Sequence, residues 1–212
     1  MGTSPHPVPG LSKVPEDPMS RDRTPTVTAL DGTPVPWGEA ETRWSAVAYD
    51  LLVQLAGHYQ AIVEDHTLAK ELQLRTNLQT SSPTKNWLPR VLRHVTSRAT
   101  EAGAPPLATL VVGRHDGQVG EVYDDVCRAT GLEPLPTPEE REDRAAQARL
   151  ECYRWAGAVA RHRGTPALSP KLQKQREREQ REKLVTHQVR TGSVCPTCGL
   201  TMALTGVCDF CS

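Results

Sequence analysis

A chain of 212 residues with 25 basic and 25 acidic side chains has no net field to steer it toward a polyanion or an anionic membrane, so any electrostatic site must be local. With 37% hydrophobic and 4% aromatic residues against 18 prolines and 15 glycines, there is too little apolar material for one core along the whole length; one domain plus a small accessory module is expected. No run approaches the roughly 20 apolar residues that span a bilayer, and Met1-Gly2-Thr3-Ser4-Pro5-His6 has neither a basic start nor the Ser or Thr of a myristoylation signal, which predicts a soluble cytoplasmic protein with no membrane partner.

Residues 1–38 hold eight prolines and no helical or alternating period, so they read as a disordered Pro-rich arm. From Trp44 the apolar residues Val47, Ala48, Leu51, Leu52, Leu55, Tyr59 and Ile62 recur at helical spacing, and a shorter helix follows over Thr67–Leu72. Thr80-Ser81-Ser82-Pro83 is a loop. The next helix is expected from about Asn86 to Ala102, because Pro89 fits the first turn and Gly103 stops the run. Leu107–Val112 reads as a buried strand, and Gly113–Gly117 as a turn. A helix over Gly120–Thr130 closes the domain 39–131, and Pro134, Pro136 and Pro138 open the segment 132–168, a Pro linker and a helix over Glu139–Arg163. Residues 169–191 form a charged helical linker in which Lys171–Arg190 counts seven bases against three acids. The fold class that follows is mainly α with a small β component (α+β), ending in a separate module over 192–212.

A wheel of 100° per residue places Leu88, Val91, Leu92, Val95 and Ala99 on one side of the helix from Asn86, and Asn86, Arg90, Arg93 and Ser97 on the other, with Arg98 at the boundary. No acid occurs from Lys85 to Thr100. Lys85, Asn86, Arg90, Arg93, Ser97 and Arg98 are therefore the candidate nucleic-acid contacts, against a plain solvated face as the alternative.

Cys195-Pro196-Thr197-Cys198 and Cys208-Asp209-Phe210-Cys211 are two Cys-x-x-Cys knuckles nine residues apart, a spacing that lets four soft ligands meet one tetrahedral metal. A tail of this size cannot fold on apolar burial alone, so metal binding and folding are expected to be coupled. The pattern resembles the four-cysteine zinc-ribbon family, which implies Cys195, Cys198, Cys208 and Cys211 as ligands to one structural Zn2+ with no open coordination position. Cys127 and Cys152 lie alone and read as buried or partly buried free thiols. His187 reads as an exposed helix residue.

Three helices, a strand and a turn over 42–119, with Leu68-Ala69-Lys70-Glu71-Leu72-Gln73-Leu74 in the second helix, resemble winged helix-turn-helix domains. That resemblance implies the helix from Asn86 as the groove reader and Gly113–Gly120 as the wing. The element order is also similar to the DNA-binding part of alkyltransferase-like proteins, but the chain has no Pro-Cys-His-Arg motif, so alkyl transfer is not implied. Arg114-His115-Asp116 is better read as a turn than as a catalytic trio, and Asp124-Asp125 with Glu121 as a solvated helix face rather than a nuclease metal site. The leading expectation is a non-enzymatic nucleic-acid-binding protein (DNA or RNA). An adaptor using the zinc ribbon to contact protein is the alternative, and a metal-dependent nuclease the third.

Overall fold

A computed structural model describes residues 26–129, 131–190 and 193–202, together with Gly206, Cys208, Phe210 and Cys211. Its elements are β1 (Val27–Ala29), β2 (Pro34–Val35), α1 (Trp37–Ala56), β3 (Val63–Glu64), α2 (Asp65–Thr76), β4 (Leu78–Thr80), α3 (Thr84–Glu101), a 3-10 turn (Leu107–Leu110), β5 (Val111–Val112), α4 (Val122–Ala129), α5 (Pro138–Trp155) and α6 (Pro170–Arg190). Among the described residues the chain is mainly helical, with an antiparallel sheet of order β2-β1-β4 and a parallel pair, β3 with β5.

The arm does not extend to residue 38. Residues 1–25 lie outside the described residues, but 27–35 form a hairpin around the Asp31-Gly32 turn, with Gly32 at φ +85° and the Asp31 carboxylate accepting the Thr33 amide at 3.0 Å. Such short strands hold because β1 also pairs with β4, setting Val27 opposite both Val35 and Thr80 and burying it. That partner lies fifty residues away, and no local period announces it.

Helix α1 begins at Trp37, seven residues before its clear period, with Pro36 supplying the preset φ at its start. Its buried line is Ala40, Trp44, Ala48, Leu52 and Ala56, and it stops there, so Tyr59 and Ile62 lie beyond it. Alanines at this spacing let α3 approach closely, and the Trp44 and Trp87 rings meet with centroids 4.4 Å apart. The Trp44 indole N–H donates to Thr76 Oγ1 at 3.1 Å, which ties α1 to the end of α2. Asn77 caps α2 at φ +56°, a left-handed conformation that asparagine tolerates, and turns the chain into β4.

Helix α3 starts at Thr84, two residues earlier than expected, which moves Pro89 to its sixth position and deprives the Lys85 carbonyl of its usual amide partner. The buried side is Trp87, Leu88, Val91, Leu92, Val95, Thr96 and Ala99. The expected strand 107–112 is a 3-10 turn for four residues and a strand for two; Val111 and Val112 pair in parallel with Val63 and Glu64. The run is fully buried, and a compact turn buries it as well as an extended strand.

The boundary drawn at 131 is not a boundary of the core. Ala145, Cys152 and Tyr153 of α5 belong to the same apolar cluster as α1 and α3, and the Tyr153 hydroxyl donates to the Ala61 carbonyl at 2.8 Å. Helix α5 begins at Pro138 behind a Thr137 cap and ends at Trp155 rather than Arg163. It is pinned by Glu142 and Arg149, 0% and 1% exposed, whose 2.5 Å ion pair lies inside the protein. Glu142 also accepts the Val119 amide at 2.8 Å, and Arg149 donates to the carbonyls of Thr109 and Ala167 at 3.4 and 3.3 Å. One buried pair thereby closes the 113–120 loop, the 3-10 turn and the approach to α6 onto α5. Cys127 and Cys152 are buried and in no disulfide, and burial pushes the Cys152 thiol up to about 12.

Helix α6 buries Leu172, half-buries Arg176 and is otherwise exposed through Val185. It is held by side-chain pairs one turn apart, Gln173 with Glu177, Gln175 with Glu179 and Arg178 with Glu182, as suits a helix running through solvent. The side chain of His187 lies outside the described residues. No helix among the described residues is long and apolar enough to cross a membrane.

Candidate metal centre

The first knuckle is built by its backbone. Val194 and Thr201 form an antiparallel bridge, the Cys195 amide donates to the Leu200 carbonyl at 2.7 Å, and the Gly199 amide returns to the Cys195 carbonyl at 2.9 Å. Gly199 sits at φ +71°, where a side chain would be strained, so the glycine after Cys198 is what allows the chain to turn back. The second knuckle repeats the closure with the Cys211 amide on the Cys208 carbonyl at 3.3 Å.

These two turns bring the four sulfurs within 4.8 Å of one another. Cys195 and Cys211 sulfurs are 3.9 Å apart, and those of Cys198 and Cys208 3.5 Å apart. A tetrahedron with metal–sulfur bonds of about 2.3 Å has sulfur–sulfur edges of about 3.8 Å, so the donor set fits a metal ion of that size and softness. Amide hydrogens of Cys198 and Thr197 point at the Cys195 sulfur and hold its thiol down to about 6. The Phe210 amide lowers Cys208 in the same way, whereas hydrogen bonding to Cys198 and burial raise Cys211 to about 11. A metal entering this cluster meets one site already disposed to be a thiolate and displaces a proton from Cys211. Among the described residues no other group of three or more His, Cys, Asp or Glu side chains converges in this way.

The α3 surface is different from the acid-free face read along the helix. Arg90 Nε lies 2.9 Å from Glu41 of α1 and its guanidinium over the Trp37 ring at 5.4 Å. Arg93 Nε lies 2.7 Å from Asp125 of α4, and Arg98 sits over Tyr49 at 4.0 Å, with Asp50 at the edge of ion-pairing distance. Ser97 donates to Glu101 at 3.1 Å; Asn86 and Lys85 are exposed. Every arginine of the candidate face is thus answered by an acid from α1 or α4, which helix-by-helix reading cannot see.

The acidic candidates are answered in the same way. Asp125 is shared between Arg93 and Arg128, and Asp124 pairs with Arg141 at 3.2 Å, all in the wall of a cleft of about 560 Å3 between α3 and α4. Asp116 accepts the Gln118 amide at 3.0 Å within a closed turn, so Arg114-His115-Asp116 is a turn. The loop 113–120, expected as a wing, contains no strand; β5 runs parallel to β3 instead of pairing with a returning strand.

The module also presents large apolar side chains to solvent. Phe210, the single phenylalanine of the chain, is 80% exposed, and Val194 and Leu200 are exposed beside the first knuckle. Within the Cys-x-x-Cys pattern Phe210 occupies a spacer position, and nothing in that spacing signals its exposure. Comparison with protein-family models, with curated proteins and with solved structures finds no match to this chain.

Proposed function

We propose that the chain is a non-enzymatic adaptor: a helical domain carries, on an exposed helix, a zinc ribbon that docks on protein. The observation that carries the reading is the makeup of the module's outer face. Residues 193–212 contain no Lys, Arg or His, and Asp209 is their one acid, while Val194, Leu200 and Phe210 stand out into solvent. A surface that meets phosphates needs cations; exposed large apolar side chains suit a protein partner. Cys195, Cys198, Cys208 and Cys211 would hold Zn2+, which supplies a structural clamp, and four thiolates leave no position for water.

A pull-down comparing the intact chain, a chain ending before Ser193 and a Phe210→Asp variant tests this. The partners of the intact chain are expected to be lost in both altered forms; identical partners in all three would overturn the reading. The nucleic-acid reading is the second, favoured by the excess of bases along α6. The α3 face adds little to it, because Arg90, Arg93 and Arg98 each face an acid. Salt titrations with duplex and single-stranded DNA separate the two: salt-sensitive binding would transfer the function to nucleic acid.

A further inference from the structure

The cleft between α3 and α4, about 560 Å3, falls in the size range of small-molecule sites. Where its lining is buried it is aliphatic: Leu88 and Leu92 come from α3, Val111 from β5, Val119 from the 113–120 loop and Val126 from α4. Among the described residues Tyr123 is its one aromatic side chain and is itself buried, so no ring is offered to stack on a nucleobase. Four basic and four acidic side chains line the cleft, a balance that disfavours a phosphate ester, which needs an excess of cations.

Most of these charges are already answered. Asp125 holds Arg93 and Arg128, Asp124 holds Arg141, and Asp65 accepts the amides of His66 and Arg114 at 2.6 and 3.2 Å. Lys85 and Glu121 are different: both are exposed, and among the described residues neither side chain has an ionic or hydrogen-bond partner. A third polar group joins them. Pro89 has no N–H for the Lys85 carbonyl four residues earlier, and both residues line the cleft, so the acceptor that the proline frees lies in its wall. One unanswered cation, one unanswered carboxylate and one spare carbonyl beside an aliphatic floor are the complement of a small molecule that carries a carboxylate, an ammonium and a hydrocarbon side chain.

We propose that this cleft binds an aliphatic zwitterion of the α-amino-acid class. Its side chain packs on Leu88, Leu92, Val111, Val119 and Val126, its carboxylate meets the Lys85 ammonium, and its own ammonium donates to Glu121 and to the freed Lys85 carbonyl. The site is built wholly from residues between 65 and 141, so it goes beyond the docking reading of the zinc module and stands or falls separately from it.

Isothermal titration calorimetry of the full zinc-loaded chain with L-leucine and with L-leucyl-L-leucine tests the assignment, the two probes separating a free amino acid from a short peptide. The expected result is a dissociation constant of about 1 mM or tighter for at least one of them. Isocaproate, which lacks the ammonium, and isoamylamine, which lacks the carboxylate, should each bind at least about tenfold more weakly, because each leaves a group of the site unpaired. Lys85→Glu and Glu121→Lys should each weaken binding of the zwitterion at least about tenfold. Both positions are exposed, so far-UV circular dichroism and zinc content should match the parent chain. No binding of either probe at about 10 mM overturns the proposal. So does an analogue lacking one charge that binds as tightly as the zwitterion, or binding indifferent to both substitutions.

Discussion

Replacing Arg149 by Met should be among the most damaging single changes in the helical domain. The guanidinium is 1% exposed and answers a carboxylate that is 0% exposed, so the substitution strands Glu142 inside the protein. Glu142 would keep the Val119 amide, but the carbonyls of Thr109 and Ala167 would each lose a donor. Breaking a buried pair from one side costs about 3–5 kcal/mol, against a total stability of about 5–15 kcal/mol for a domain. With a urea slope of about 2 kcal/mol per molar, the unfolding midpoint should fall by about 2 M. Glu142→Gln should cost a comparable amount, because it retains an acceptor for Val119 but leaves Arg149 charged and unanswered. The double variant Glu142→Gln/Arg149→Met removes both charges and should be more stable than the sum of the two losses implies, by at least about 1 kcal/mol. Urea titrations followed by far-UV circular dichroism on the four proteins measure this. A single variant within about 1 kcal/mol of the parent, or a double variant with strictly additive losses, would refute the view that this pair organises α5.

Cys195→Ser/Cys208→Ser should abolish binding of one zinc per chain, measured by elemental analysis, while the helical signal of α1–α5 persists because that core owes nothing to the metal. The Cys195 thiolate, held down by amide hydrogen bonds, is favoured from the ordinary thiol value of 9.0 down to about 6 and is lost as the pH falls through about 6; metal affinity should drop across that range in a chelator-competition titration. In metal-free protein, whose C-terminal module loses its fold with the metal while the helical core persists, a thiol reagent should label the four C-terminal cysteines well before Cys127 and Cys152, which are buried in that core and should react only when it unfolds. Arg93→Ala should cost no more than about 1 kcal/mol, because its pair with Asp125 is half exposed, and duplex-DNA affinity should not change; a specific loss of DNA binding would restore the α3 face as a nucleic-acid surface.

Features that depend on spacing along the chain are legible in the residues alone. Two Cys-x-x-Cys pairs and a glycine after Cys198 announce a four-sulfur cluster because the knuckle is closed by bonds within six residues. The apolar side of α3 from Leu88 to Ala99 was legible for the same reason, since a helix face is a local property. Features that depend on partners far apart in the chain emerge only once it is folded. Folding makes Val27 a buried strand residue through β4, joins α5 to the core through Glu142 and Arg149, and replaces the wing by a closed loop beside a parallel pair. Above all it sets Glu41, Asp50 and Asp125 against Arg90, Arg98 and Arg93. An acid-free helix is a property of one segment, whereas a charged surface is a sum over every element that reaches it, and on α3 that sum pairs each arginine with an acid.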